Sequence, residues 1–380
     1  RWSRGLGDVY KRQAVVSAQT LTDDGSTQTI NVNGTLQYQG SAQDYTIPVN
    51  STYNAIRFRL RGGDGGYAKS DDCQSNGGAG ATTVAVFMLG NESNQLSPGG
   101  TIRFIVGKHG ENGITFAAEG GAGGGGTAVL YRPPGSTSDD DWIILAVAGG
   151  GGGAFQGSVL TGCTDSQLGQ GGRASESGGK GDGANAGSGG SDGQGGESGR
   201  AYGGGGAFTC AGSCSSGKGY PDGGKGGGEE GGWGFGGGGN KEFDSGGGGG
   251  GYSGGGGGGN LNNGGGGGSY VHPTYPVSSS KSGGSDGGGD SQIGYVEYSF
   301  QNRALVWTGA VDDDWYNSSN WTPAKVPTSI DIVSISTAPN DPVIENTANA
   351  RWVRMLSGGN LTLNANSTLN LHPLNSNGIW

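Results

Sequence analysis

Four cysteines, at positions 73, 163, 210 and 214, carry the most readable chemistry of this chain. An even cysteine count in a secreted protein reads as a disulfide framework, and four cysteines allow three pairings. Cys210 and Cys214 stand close together in a Gly/Ser context, suited to a small closed loop. Cys73 and Cys163 are then left to pair across the first and second glycine regions. The competing chemistries are free thiols and a zinc site. Zinc needs four deprotonated ligands at fitting spacing, and His109, His272 and His372 fall beside no cysteine pair. Disulfides are the expectation. Asp139-Asp140-Asp141 and Asp312-Asp313-Asp314 offer oxygen ligands of the kind calcium takes, although such runs are more often solvated turns. Three scattered histidines assemble no Ser–His–Asp constellation. Gly107-Lys108-His109 and Gly217-Lys218-Gly219 lack the Ser/Thr of a phosphate-binding loop, and G-x-G-x-x-G matches are inevitable at this glycine content. No catalytic residue, metal or cofactor is expected.

The elements that must position these residues are unusual in composition. Of 380 residues, 92 are glycine, against a usual share of roughly 7%. Hydrophobic residues make up 31% and charged residues 14%, so one conventional core cannot fill the chain. The net charge is −10. Phosphate binding needs a clustered basic face, and none is present, which argues against a nucleic-acid partner. No apolar run reaches the length of about 18 residues that a membrane-spanning helix needs.

Residues 1–13 include Gly5-Leu-Gly-Asp-Val-Tyr-Lys-Arg-Gln13, which resembles translated sequencing-adapter sequence and is expected to stand apart from the fold. Residues 14–18 read as the end of a secretory signal peptide, with Val16-Ser17-Ala18 before Gln19. A secreted or cell-surface location is the expectation. Residues 20–148 read as β structure. Tyr45, Ile47 and Val49 alternate with polar neighbours, as do Val84, Val86 and Met88, and Ile102, Phe104 and Val106. Ile56, Phe58 and Leu60 oppose Arg57, Arg59 and Arg61, the period-two pattern of a half-buried strand. Residues 142–148 are apolar on both faces and predict a buried strand. Turn residues every 8–12 positions favour an all-β sandwich.

Residues 149–290 change character: 62 of 142 are glycine, in runs at 149–153, 246–251, 254–259 and 264–268. A flexible linker is the default for such a segment. Against it stand the interspersed Phe155, Tyr202, Phe208, Trp233, Phe235, Tyr252 and Tyr270, and the strand at 291–300 that follows. Extended helices with three residues per turn have no internal hydrogen bonds, and bare glycine lets several approach closely enough to bond one another. Ordering glycine is entropically costly, so such a lattice needs a stable body to anchor it.

The ordered series Gln43-Asp-Tyr-Thr-Ile-Pro48, Ile56-Arg-Phe-Arg-Leu-Arg-Gly-Gly-Asp-Gly-Gly66, Pro98-Gly-Gly-Thr-Ile-Arg-Phe-Ile-Val-Gly107, Ile144-Leu-Ala-Val-Ala-Gly-Gly-Gly-Gly-Gly-Ala154 and Trp233-Gly-Phe-Gly-Gly-Gly-Gly239 resembles the glycine-rich domain of the anaplastic lymphoma kinase and leukocyte tyrosine kinase receptor ectodomains, found also in microbial surface proteins. The resemblance covers about residues 36–300. It implies a tumour-necrosis-factor-like β-sandwich with polyglycine helices inserted between its strands. It carries over no ligand-contacting residue, and none of the kinase motifs is present.

Residues 304–380 open with Val306-Trp-Thr-Gly-Ala310, Trp315 and Asn320-Trp-Thr-Pro323. Apolar pairs then recur about every 8–11 residues, which suggests a parallel β-solenoid similar to repeats of Bacteroidetes-type surface proteins. The pattern stands open at Trp380, and a longer protein is expected. The functional expectation is a non-catalytic, adhesin-like extracellular module whose partner is an extracellular protein or a glycan. The alternatives are a receptor-ectodomain fragment and an ice- or polysaccharide-binding polyglycine surface.

Overall fold

The computed structural model describes residues 19–372, apart from 24–25, 31–32, 50–52, 71–72, 92, 115–118, 158–165, 202, 207–230 and 239–244. The described residues form strands and short 3-10 turns, with no α-helix among them. The chain is all-β.

Ten strands make the central body: β1 (Asn33–Gln37), β2 (Gln43–Thr46), β3 (Ala55–Arg61), β4 (Thr82–Met88), β5 (Thr101–Ile105), β6 (Thr127–Arg132), β7 (Ile143–Ala148), β8 (Tyr270–Val271), β9 (Pro276–Ser282) and β10 (Tyr295–Gln301). They form two five-stranded antiparallel sheets, ordered β1-β10-β3-β4-β9 and β2-β5-β6-β7-β8. Period-two alternation decides what each face carries. Ile56, Phe58 and Leu60 of β3 share one core with Phe104, Tyr131 and Leu145 of the other sheet. Phe58 meets Phe104 edge-on at 5.7 Å. Each such side chain, fully buried, stabilises the fold by about 1.5–3 kcal/mol.

Two expected faces are corrected. On β4 it is Ala85 and Phe87 that enter this core, while Val86 and Met88 face a second one. Both faces of β4 are covered, so apolarity alone does not mark the inward side. Val49 lies beyond the end of β2 and is 70% exposed. Strand β7 is buried on both faces as expected, with Leu145 in the central core and Ile144 and Val147 in a third cluster behind it.

The glycine runs are held by backbone hydrogen bonds with a period of three. In the run 254–259, Gly254 and Gly257 donate to Gln194 and Glu197; Gly255 and Gly258 donate to Gly249 and Gly246; Gly256 and Gly259 donate to Gly179 and Asp182, all at 2.7–3.0 Å. Every third residue therefore faces the same neighbour: three segments accept from the run, and others donate into it, Gly187 and Gly190 to Gly257 and Gly254, Gly204 to Gly255 and Gly265 to Gly256. The run at 149–153 behaves alike: Gly150 and Gly153 donate to Gly250 and Gly247, and Gly151 and Ala154 to Gly63 and Gly66. This is the geometry of extended three-residue-per-turn helices, whose polar groups all point outward. The lattice also recruits Gly62–Gly66, Gly77–Ala81 and Gly120–Gly126, so it reaches beyond the expected 149–290 span. Conversely, strands β8 and β9 lie inside that span.

None of the glycines in the four long runs has φ in the left-handed region. Glycine is needed there for a different reason, the space a Cβ would occupy. At Gly256 an added Cβ would collide with the carbonyl oxygen of Gly187, and at Gly151 with that of Gly78.

Side chains tie the lattice to the body. Phe235 is fully buried against Ile105, Ala128 and Val147 on the outer face of the second sheet, and exchanges backbone hydrogen bonds with Gly126 at 3.0 and 3.1 Å. Tyr252 stacks on Tyr270 of β8 at 4.2 Å. The buried Asp64 carboxylate accepts the amides of Gly80 (2.9 Å), Asp290 and Gln292 (3.0 Å each) and an Arg61 N–H at 2.5 Å. One side chain thus joins the end of β3, the extended glycine segment at 77–81 and the approach to β10.

The C-terminal unit contains β11 (Ala304–Trp307), β12 (Trp321–Thr322), β13 (Ile332–Ile335), β14 (Val343–Ile344), β15 (Thr347–Ala350), β16 (Trp352–Met355), β17 (Thr362–Leu363) and β18 (Thr368–Leu371). Its main pairings are parallel. Ile332 lies beside Trp352, Val343 beside Thr362 and Thr347 beside Thr368, offsets of 20, 19 and 21 residues. The shorter recurrence in the sequence counts the separate strands that fall within one such offset. Ile335, Ile344 and Ala350 are wholly buried, whereas their register partners Met355, Leu363 and Leu371 are 47%, 47% and 54% exposed.

This unit packs on the body through the second core, in which Ala55, Val86 and Met88 meet Leu305, Trp307, Trp315 and Trp321. Trp321 sits edge-on to both other tryptophans at 4.9 and 4.8 Å. Beneath lies a buried polar hub. Asp331 accepts from Lys325 Nζ at 2.9 Å, Asn54 Nδ2 at 2.8 Å, and the Thr328 amide and hydroxyl at 2.8 and 2.6 Å.

Two outcomes follow. Gly256→Val should lower the melting temperature sharply, because it separates the lattice at Gly187 and strands buried amides and carbonyls at about 1–3 kcal/mol each; calorimetry checks this. Asp331→Ala leaves Lys325, 4% exposed, as a buried unpaired cation. A loss of about 3–5 kcal/mol is expected in denaturant melts.

Candidate binding site

Where β9 runs into the lattice, a trough of about 770 Å³ opens on the surface, within the range of roughly 300–1,000 Å³ typical of ligand sites. Its floor is glycine backbone at Gly171, Gly172, Gly283 and Gly284, and its walls carry Gln170, Arg173, Asp182, Asn263 and Asp286. The lattice holds each wall by its main chain. Arg173 donates its amide to Gly267 at 2.7 Å, Asp182 to Asn263 at 3.1 Å and Gly284 to Gly172 at 2.8 Å. The side chains are therefore presented from a fixed backbone, with little left to order when a ligand arrives.

Asp286 Oδ1 accepts the Gly171 amide at 2.8 Å. Arg173 Nη2 donates to Gln170 Oε1 at 2.9 Å, and Gln170 Nε2 donates to the Lys180 carbonyl at 2.8 Å. Asn263 is 3% exposed. Its Nδ2 donates to the Leu168 carbonyl at 2.5 Å, which sets the orientation of the amide. Its Oδ1 is buried without a hydrogen-bond partner among the described residues. An unsatisfied buried acceptor costs about 1–3 kcal/mol. The arrangement can bind and orient polar groups; it contains no paired nucleophile and base.

The residues singled out from sequence fall elsewhere. Cys73 is buried in a short strand and disulfide-bonded. Cys163, Cys210 and Cys214 lie outside the described residues, so the proposed 210–214 loop does too. Asp139–Asp141 form a 3-10 turn whose Asp140 amide is capped by Ser138 Oγ. Asp312 accepts from the side-chain amides of Asn317 (2.9 Å) and Asn320, and these hydrogen bonds hold its carboxyl below the ordinary carboxylate range. Its oxygens thus build the turn above the tryptophan cluster. His109 contacts the Gly110 carbonyl, and His372 contacts Asn349.

His272 belongs to a ring ladder, in which Tyr270 stands 6.4 Å from it and Tyr275 meets it edge-on at 4.8 Å. Its amide donates to Leu145 at 2.9 Å, which pins the return of the glycine segment to β7. Burial lowers the His272 pKa below 6.5. Burial, with the neighbouring Tyr252 and Glu176, pushes the Tyr270 phenol up to about 12.

The trough residues were missed in the sequence. Arg173, Asp182, Asn263 and Asp286 are polar positions scattered through glycine-rich sequence, and only the lattice brings them together. Polar residues breaking the glycine runs are the one signal that points to them.

In comparison with known proteins, residues 306–378 match a family model described as a domain of unknown function (DUF8693). No curated protein matches the chain.

The His272 shift has a definite sign. The folded state resists protonation, so its stabilising contribution is complete above about pH 6.5 and drains as pH falls through the lower folded value. The melting temperature should drop between pH 7 and 5, and the drop should be smaller in His272→Gln.

Proposed function

We propose that this chain is a rigid, non-catalytic module of a secreted or cell-surface protein, adhesin-like in role, with an extracellular protein or glycan as its partner. The observation that carries the proposal is the period-three lattice anchored to the two-sheet body by Phe235 and Asp64. A surface held by backbone hydrogen bonds that its runs both donate and accept suits presentation of a fixed binding face. The disulfide at Cys73 accords with an oxidising compartment, as does the signal-peptide reading of residues 14–18.

Within this proposal the body is a tumour-necrosis-factor-like sandwich. Two five-stranded antiparallel sheets on one core support it, with the first and last strands of the body side by side. The C-terminal unit is the beginning of a β-solenoid. Its parallel register and the exposed Met355, Leu363 and Leu371 above a buried turn support that assignment. The resemblance to the glycine-rich domain of the receptor ectodomains and microbial surface proteins would account for the whole arrangement through β10.

Amide exchange on the intact chain tests the central claim. Amides of residues 246–268 should exchange on the timescale of the sheet strands. Random-coil rates there would make the segment a tether, and the rigid-module proposal would fall.

A further inference from the structure

We infer that the trough is a binding site for a neutral oligosaccharide segment; the inference rests on the ordered lattice of the preceding proposal. Its lining is the first argument. Two carboxylates, a guanidinium and three carboxamides converge there: Asp182, Asp286, Arg173, Asn263, Gln170 and Gln167. These planar groups offer paired donors and acceptors at the spacing of neighbouring hydroxyls. Leu168, 48% exposed at the rim, supplies the small apolar contact that the carbon face of a sugar ring can use. The lining is too polar for a hydrophobic ligand.

Charge narrows the ligand class. The trough carries two acids against one base, in a chain of net charge −10. An acidic polymer is repelled, and a cation would leave the amides and Arg173 unused. A neutral polyhydroxylated chain satisfies both signs of group.

The second argument is Asn263. Its Oδ1 is the one buried side-chain atom among those lining the trough that lacks a hydrogen-bond partner. Its amide cannot turn over to relieve this, because Nδ2 is committed to Leu168. The missing group is a donor, and a ligand hydroxyl pressed into the floor so as to uncover Oδ1 would provide one.

The floor explains how a long ligand enters. Gly171, Gly172, Gly283 and Gly284 present no side chains, so a chain can lie along the trough in contact with backbone. Gly283 differs from the lattice glycines. An added Cβ there would approach nothing closer than the Gly172 carbonyl, at 3.1 Å. A Cβ at 283 asks the Gly172 carbonyl to give by about a few tenths of an ångström, where the lattice glycines would overlap backbone outright, and the methyls of a valine would stand on the floor beside Gly172 and Ala174.

Affinity electrophoresis of the intact chain through gels containing a neutral β-glucan, a mannan or a dextran tests this, with alginate as the acidic control. At least one neutral polymer should retard the wild type, and alginate should not. Gly283→Val and Asp182→Ala should each weaken the retardation at least tenfold, with melting temperatures close to wild type. Asp182 touches the lattice through its main chain alone in the bonds described, so its variant decides the matter should Gly283→Val melt early. Absence of retardation by all three neutral polymers overturns the inference, as does undiminished retardation of both variants. If amides 246–268 are protected while no neutral polymer binds, the glycan inference alone fails. If they are unprotected, the lattice itself fails.

Discussion

The structure depends on amide-to-carbonyl contact between chains that have no side chains in the way. Extended three-residue-per-turn segments bury polar backbone on every side, and an orphaned group there is costly. In this chain the bonds are made between segments distant in sequence, such as Gly150 with Gly250 and Gly151 with Gly63. The enthalpy is collected only if all neighbours are present together. The entropy lost in ordering glycine is large for each residue. The balance therefore turns on completeness, which is why the lattice is built against a body with its own apolar core.

Two buried carboxylates organise that body. Asp64 gathers amides from the extended 77–81 segment and from Asp290 and Gln292. Asp331 gathers Lys325, Thr328 and Asn54 Nδ2, while Asn54 Nδ2 also donates to the Arg303 carbonyl and Asn54 Oδ1 accepts the Arg303 amide. Each anion is surrounded by donors, the condition for tolerating charge in an interior. Each also sits where two parts of the molecule meet, the first between sheet and lattice, the second between body and C-terminal unit. Apolar packing holds these parts together, and the carboxylates fix their register.

Much of this was legible beforehand, and the failures have physical causes. The alternation of Ile56, Phe58 and Leu60 with three arginines places β3 correctly, because one of its faces is far more polar than the other. Val86 and Met88 deceive, because the tryptophan-rich unit covers the outer face of β4. The order of the glycine segment is readable from its aromatic residues, and Phe235 and Tyr252 do serve as anchors. Asp64 is not readable as a hub, since a single acid among glycines looks like any solvated turn. The trough is invisible for the same reason. Arg173 and Asp286 become neighbours only through lattice contacts, and no local pattern encodes those.

The three-residue period has a consequence for how such a domain can vary. One turn of an extended helix of this kind advances about 9 Å. Gaining or losing a whole turn leaves every remaining residue facing its former neighbour. Gaining a single residue rotates all that follows by a third of a revolution and exchanges every partner at once. The composition of the runs is frozen by the space they lack, but their length can change in steps of three. A domain of this type can grow deeper or shallower while the sheets beneath it stay the same.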